Sequence, residues 1–181
     1  MIPAVSAPST SEYRHVAGRF ATGVTVLTLA APTGEPGEDG PHGSTVSSFT
    51  SVSLAPLLVS ACLTEGSSSL RRLTTGRRFA VNILAASQRR LAEHFADPGR
   101  PRGAAQFRGW PWLPGPYSDA PLLGGALGWL ECRVVQRLPA GDHVIVLAEV
   151  HAATCGAGPP LLHFNGAFVA GADAPPCPGH C

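Results

Sequence analysis

Residues 43–69 read GSTVSSFTSVSLAPLLVSACLTEGSSS. The stretch opens with hydroxyl-bearing residues at Ser44, Thr45, Ser47 and Ser48. A second small polar run, Thr50, Ser51 and Ser53, closes at Pro56, and an apolar strand follows from Leu57 to Leu63. A third hydroxyl cluster, Ser67, Ser68 and Ser69, comes directly after it. Three hydroxyl clusters around one buried strand predict a cradle for a polar, phosphorylated ligand. Neutral hydroxyls and backbone N–H groups bind phosphate without any lysine, above all where a helix begins. Serine and threonine also fill turns and strand edges, so the pattern alone leaves both readings open.

On the N-terminal side, Ser9 or Thr10 caps a helix with Glu12 in its first turn, and Tyr13, Val16, Ala17 and Phe20 give it one apolar face. Gly23 ends it. Val24–Leu29 is continuous and β-branched, as expected of a buried strand. Residues 31–41 form a turn-rich acidic loop, and residues 43–49 the hydroxyl-bearing strand. On the C-terminal side, residues 67–75 read as a short helix with Leu70 and Leu73 inward and Arg71 and Arg72 outward. Phe79–Leu84 is a strand. Ser87 caps a helix that runs through Phe95. Residues 97–122 form a long loop rich in Gly, Pro and Trp, of a length expected to be functional or packed on a partner. Residues 129–138 and 143–152 are strands joined by Pro139-Ala140-Gly141-Asp142, which predicts an antiparallel hairpin. Residues 161–164 and 167–170 close the sheet. Six or seven strands that follow one another directly, with few helices, favour a closed antiparallel barrel over a doubly wound sheet.

The 181 residues fit one domain, expected over 9–170, between a disordered lead at 1–8 and a Pro-rich disordered tail at 171–181. A net charge of +1 gives no broad electrostatic case for nucleic acid. No apolar run reaches the length of a membrane span, and the first residues lack the basic and apolar blocks of a signal peptide. A soluble, cytoplasmic protein is expected. All 13 basic residues are arginine, which excludes a lysine Schiff base and a P-loop lysine. Five scattered cysteines without CxxC pairs are read as reduced thiols, with Cys62 and Cys132 as small core residues.

Glycines 124, 125 and 128 have the wrong spacing for a dinucleotide fingerprint and mark a turn. HExxH, paired CxxC and GxSxG are absent, so no metal site or serine nucleophile is expected. Cys177, His180 and Cys181 on the tail are read as incidental. Asp142-His143 opens a strand, which places the histidine at the barrel rim, where it serves hydrogen bonding or proton transfer, or simply caps its own turn.

Seven segments, in order, resemble the short-chain flavin reductases of the FMN-binding split-barrel superfamily: YRHVAGRFATGVTVLT, GSTVSSFTSVSLAPLLVSACL, FAVNIL, LAEHFADP, PLLGGALGWLECRV, GDHVIVLAEV and PLLHFNGAF. The resemblance spans residues 12 to 168. It implies a mainly β (α+β) fold, an antiparallel split β-barrel with flanking short helices, that forms a homodimer with flavin near the interface. By the same resemblance Thr45, Val46, Ser47 and Ser48 line the isoalloxazine and ribityl chain, with Leu63 on the next strand. Ser67, with Ser68 and Ser69 beside it, stands at the phosphate. Asn82 matches a VN pair of structural or supporting role. His143 matches a GDH motif on the nicotinamide side and is the expected catalytic residue. Thr64 stands where many relatives carry Asn. His163, counted with the flavin-binding residues, and Asn165 replace the Tyr and Arg or Lys of the closing segment.

The implied activity is NAD(P)H-dependent reduction of free flavin (FMN or FAD, with NADH or NADPH as donor), delivered to a separate monooxygenase. Two alternatives stand beside it. One is a split-barrel flavoprotein with tightly held FMN acting on its own organic substrate, with 97–122 as a lid. The other is a non-catalytic flavin-binding protein.

Overall fold

The computed structural model describes residues 7–32 and 40–172. The lead at 1–6, part of the acidic loop and the tail with Cys177, His180 and Cys181 lie outside these residues. The elements in chain order are α1 (Thr10–Ala17), β1 (Thr22–Gly23), β2 (Thr25–Leu29), β3 (His42–Val46), β4 (Thr50–Leu54), β5 (Leu57–Thr64), α2 (Ser68–Arg72), β6 (Arg78–Ile83), α3 (Arg89–Ala96), β7 (Trp112–Pro114), β8 (Pro121–Leu123), β9 (Gly128–Ala140), β10 (His143–Cys155), β11 (Leu161–Phe164) and β12 (Ala167–Ala170). Short 3-10 turns occupy Ala86–Gln88 and Gly103–Phe107.

The main sheet is antiparallel, in the order β3-β2-β6-β9-β10-β5-β4. Its two edges, β3 and β4, are consecutive in sequence and joined by residues 47–49. Ser48 holds them near the far strand: its Oγ donates to the Cys62 carbonyl at 2.7 Å and accepts from the Cys62 N–H at 3.0 Å. β1, β11 and β12 form a smaller sheet beside the barrel.

β2 is buried along its whole length. Leu27 and Leu29 face the barrel interior with Val46, Leu63, Phe79 and Val146, whereas Val24, just before the strand, and Val26 face a second cluster with Leu84, Leu91, Phe95, Phe107 and Leu123. A strand covered on both faces loses the period-2 alternation. Each fully buried Leu or Phe contributes roughly 1.5–3 kcal/mol relative to exposure. Gly43 on β3 has no room for a side chain, because a Cβ there would lie 2.5 Å from the Phe95 ring.

Several boundaries differ from the sequence reading. The helix expected over 67–75 is only Ser68–Arg72. The helix expected from Ser87 begins as a 3-10 turn before α3. The polar run at 50–53 lies in a strand, β4, whose residues are mostly exposed, Val52 and Leu54 among them. Residues 97–122 are not a featureless lid: they contain a 3-10 turn and the β7–β8 hairpin, and Phe107 and Trp110 pack into the second cluster. Cys62 and Cys132 are free thiols, but Cys155 is disulfide-bonded, against the expectation of reduced cysteines.

Candidate active site

β3, β5 and the turn into α2 enclose two joined chambers. The smaller, about 300 Å³, is lined by Thr45, Val46, Ser47, Ser48, Leu63, Ser67, Ser69 and His143, together with Ser44, Cys62 and Thr64. The larger, about 780 Å³, shares Ser44, Thr45, Ser67 and Ser69 with it and adds Ser68. The hydroxyl clusters at the two ends of the 43–69 stretch therefore converge, as a cradle requires. His163 stands apart. On β11 it pairs with Thr22 of β1 and meets Phe168 edge-on, and it lines neither chamber.

The hydroxyls are not equivalent. Thr45 Oγ1 donates to the Ala92 carbonyl of α3 at 2.7 Å, and Ser48 is committed to β5 as described. Ser67 caps α2, accepting from the Leu70 N–H at 3.3 Å. These three hold the frame, while their backbones and the neighbouring Ser44 and Ser47 face the ligand space.

The tight turn at Gly141-Asp142, with Gly141 at φ +66°, places His143 at the first position of β10, directly opposite Thr64. His143 Nδ1 lies 2.8 Å from Asp142 Oδ1, and Nε2 lies 3.4 Å from Thr64 Oγ1. The hydrogen bond from His143, and then its charge, hold the Asp142 carboxyl below its ordinary value. An ionised Asp142 accepts the Nδ1 proton, which leaves Nε2 to face the chamber rim.

The larger chamber carries charge that the sequence reading missed. Arg71, Arg72, Arg100 and Arg102 line it, with His42 and Gln106. Arg71 is exposed, as expected, and bonds back to the Gly66 carbonyl. Arg72 donates to the Gly40 carbonyl at 3.1 Å, and Arg100 to the Gly43 and Asp97 carbonyls at 2.6 and 2.7 Å. Carbonyl acceptors orient these guanidinium groups on the chamber wall. Serines and arginines together suit one or two phosphates. The smaller chamber, walled by Val46 and Leu63 and edged with hydroxyls, suits a planar ring with polar edges. The residues present therefore fit a phosphorylated flavin. Among the described residues no group of three or more His, Cys, Asp or Glu is placed to hold a metal, and no helix is long and apolar enough to cross a membrane.

Comparison with known proteins agrees with this chemistry. The model of the flavin reductase like domain matches residues 17–172. An NADH-dependent FAD reductase of Streptomyces globisporus is 45% identical over 143 residues, which cover 79% of this chain and 75% of that one. The reductase component of a 4-nitrophenol 4-monooxygenase/4-nitrocatechol 2-monooxygenase from Rhodococcus opacus is 37% identical over 162 residues, covering 87% and 79%. Among solved structures, the NADH:FAD oxidoreductase of Streptomyces globisporus C-1027 superposes with a TM-score of 0.82 at 39% identity, covering 95% of this chain and 99% of that one.

Proposed function

This chain belongs to the flavin reductase-like family, and from that premise we propose that it uses NADH or NADPH to reduce free FMN or FAD and supplies the reduced flavin to a separate monooxygenase. The observation that carries this reading is the joining of the two chambers: one sized and edged for a flavin ring, the other lined with serines and arginines. The two nucleotides supply the chemistry, a hydride passing from nicotinamide to flavin. The protein binds, stacks and shields them. Val46 and Leu63 flank the ring, Ser47 and the backbone of residues 45–48 hydrogen-bond its edge, and Ser67, Ser68 and Ser69 take the phosphate. His143 stands at the rim, where the nicotinamide must approach. We place the enzyme in the cytoplasm, where reduced nicotinamide nucleotides are made.

Anaerobic mixing of NADH or NADPH with a stoichiometric excess of FMN, then FAD, tests this. Many flavins bleached per chain are expected. Bleaching that stops at one flavin per chain, with colour retained through desalting, would instead indicate a tightly held prosthetic flavin.

A homodimer is part of the proposal. α1 is eight residues long, has a complete capping box at Ser9 and Glu12, and buries none of its residues. Such a short helix is marginal in water without tertiary cover. Tyr13 and Val16 are exposed on it, and Phe20 just beyond is 77% exposed. Val52, Leu54 and Leu57 extend an exposed apolar surface along the β4 edge. A second copy covers these surfaces. Sedimentation of the full chain should give twice its 18.7 kDa, and Phe20→Asp should shift the mass toward a single chain. A wild-type chain that sediments as a monomer at micromolar concentration contradicts the dimer.

A further inference from the structure

His42 lies outside every motif considered above, yet it forms the floor of the arginine-lined chamber. It is the first residue of β3 and only 8% exposed. One ring nitrogen serves two hydroxyls: Nε2 is 2.9 Å from Ser69 Oγ and 3.3 Å from Ser68 Oγ. Resting on the reading that these serines receive a flavin phosphate, we propose that His42 is a positioning residue of that cradle. Its Nε2–H donates to Ser69 and Ser68 and so leaves both hydroxyl protons free to point at the phosphate.

The argument is one of donor counting. A serine hydroxyl has one proton and two lone pairs. If Nε2 presents a lone pair, a hydroxyl that bonds to it spends its proton on the ring and turns lone pairs toward an anion, which repels it. If Nε2 carries the proton, the hydroxyl accepts from the ring and keeps its own proton for the ligand. Only the second arrangement makes both serines phosphate donors at once. Nothing in the chamber requires His42 to be an imidazolium. Burial foremost, then the charges of Arg72, Arg100 and Arg71, push its pKa down to about 4, so near neutral pH the ring is neutral with one proton to place. Arg71 and Arg72 reach the ring's surroundings from α2, and Arg100 from the segment after α3. Their charge attracts the anion. His42, acting through the serines, decides whether the nearest hydroxyls greet it with protons or with lone pairs.

The test uses the full chain and two ligands that differ only in the phosphate, FMN and riboflavin, with dissociation constants read from flavin fluorescence. Wild type is expected to prefer FMN by about tenfold or more, the size of a charge-assisted hydrogen bond. His42→Phe keeps a ring but no donor, and is expected to raise the FMN constant about tenfold more than the riboflavin constant. His42→Gln, whose amide N–H can reach the position of Nε2, is expected to restore most of the FMN preference. In the double variant with Ser69→Ala, the losses are expected to fall well short of multiplying, because His42 acts through that hydroxyl. A His42→Phe protein with the wild-type FMN-to-riboflavin ratio overturns the proposal, as does full multiplication in the double variant. Should His42→Phe fail to fold, His42→Gln and Ser69→Ala decide alone: a Gln variant that loses as much FMN preference as Ser69→Ala overturns it. A wild type that binds riboflavin as tightly as FMN removes the phosphate reading of the serine cluster itself. That result is distinct from a failure confined to His42.

Discussion

His143→Ala is expected to slow hydride transfer by on the order of 10- to 100-fold while changing flavin affinity by less than about threefold. The asymmetry follows from where the side chain sits. His143 occupies the rim of the smaller chamber, with 42% of its side chain exposed, whereas the apolar walls Val46 and Leu63 are buried. Few of the contacts that retain a flavin run through the imidazole. Its orientation, however, is fixed on both sides, by Asp142 at Nδ1 and Thr64 at Nε2. Hydride transfer places negative charge on the flavin. The ring, held by Asp142 at Nδ1, stands beside that charge and limits how the nicotinamide can lie. Loss of the imidazole removes that positioning and its hydrogen bonding at the rim, so the rate falls and binding holds. Anaerobic stopped-flow mixing of pre-bound flavin with saturating NADH measures the step directly. A rate within twofold of wild type would falsify the assignment. A rate loss matched by an equal loss of flavin affinity would make His143 a binding residue instead.

The parts of this site that were legible in the sequence are the parts that are local in the chain. Ser44 to Ser48 and Ser67 to Ser69 flank the β4–β5 hairpin, so their convergence follows once β3 and β5 are placed on one barrel. His143 was legible because a tight turn and an alternating apolar strand locate it at a strand start. The arginines were not. Arg71 and Arg72 fall on the polar side of a helical pattern, which normally faces water; Arg71 is exposed and Arg72 half-buried, and only residues 96–103, distant in sequence, complete the chamber that both line. Arg100 reaches Gly43 across 57 positions of sequence. No local periodicity carries such a contact. His42 escaped for a different reason: a single histidine beside a Gly-Pro-rich loop gives no signal until α2 folds over it. β4 shows the complementary limit. This edge strand has only Val52 and Leu54 as apolar residues and buries neither, so the backbone pairing with β5, and not a pattern this short, establishes it.

The largest stability effect is expected from Asn82, which resembled a supporting residue in the sequence and is fully buried at 0% exposure. Its amide joins three parts of the barrel. Nδ2 lies 3.0 Å from the Val26 carbonyl, 3.1 Å from Thr28 Oγ1 and 3.4 Å from the Pro121 carbonyl, and Oδ1 accepts from the Leu123 N–H at 2.7 Å. Thr28 Oγ1 in turn donates to Pro121, so β2, β6 and β8 meet at one polar knot inside apolar packing. Asn82→Leu removes both functions at a similar volume and strands a buried N–H and at least one carbonyl, each at about 1–3 kcal/mol. A total loss of about 3–5 kcal/mol is expected, which for a chain of this length lowers Tm by roughly 6–20 °C. Asn82→Asp separates the two functions. It keeps an acceptor for Leu123 but turns a second oxygen toward three other oxygens. Burial and that repulsion raise its folded pKa above the unfolded value, so the folded protein gains a proton that the unfolded chain does not hold. Relative to wild type, the Asp variant should therefore be least stable at neutral pH and should recover as the pH falls, because a protonated carboxyl donates again. The Leu variant should show no such recovery. Thermal unfolding of the three proteins across pH 5–8 reads both effects. An Asn82→Leu protein that melts within about 3 °C of wild type would mean that packing alone holds these strands together.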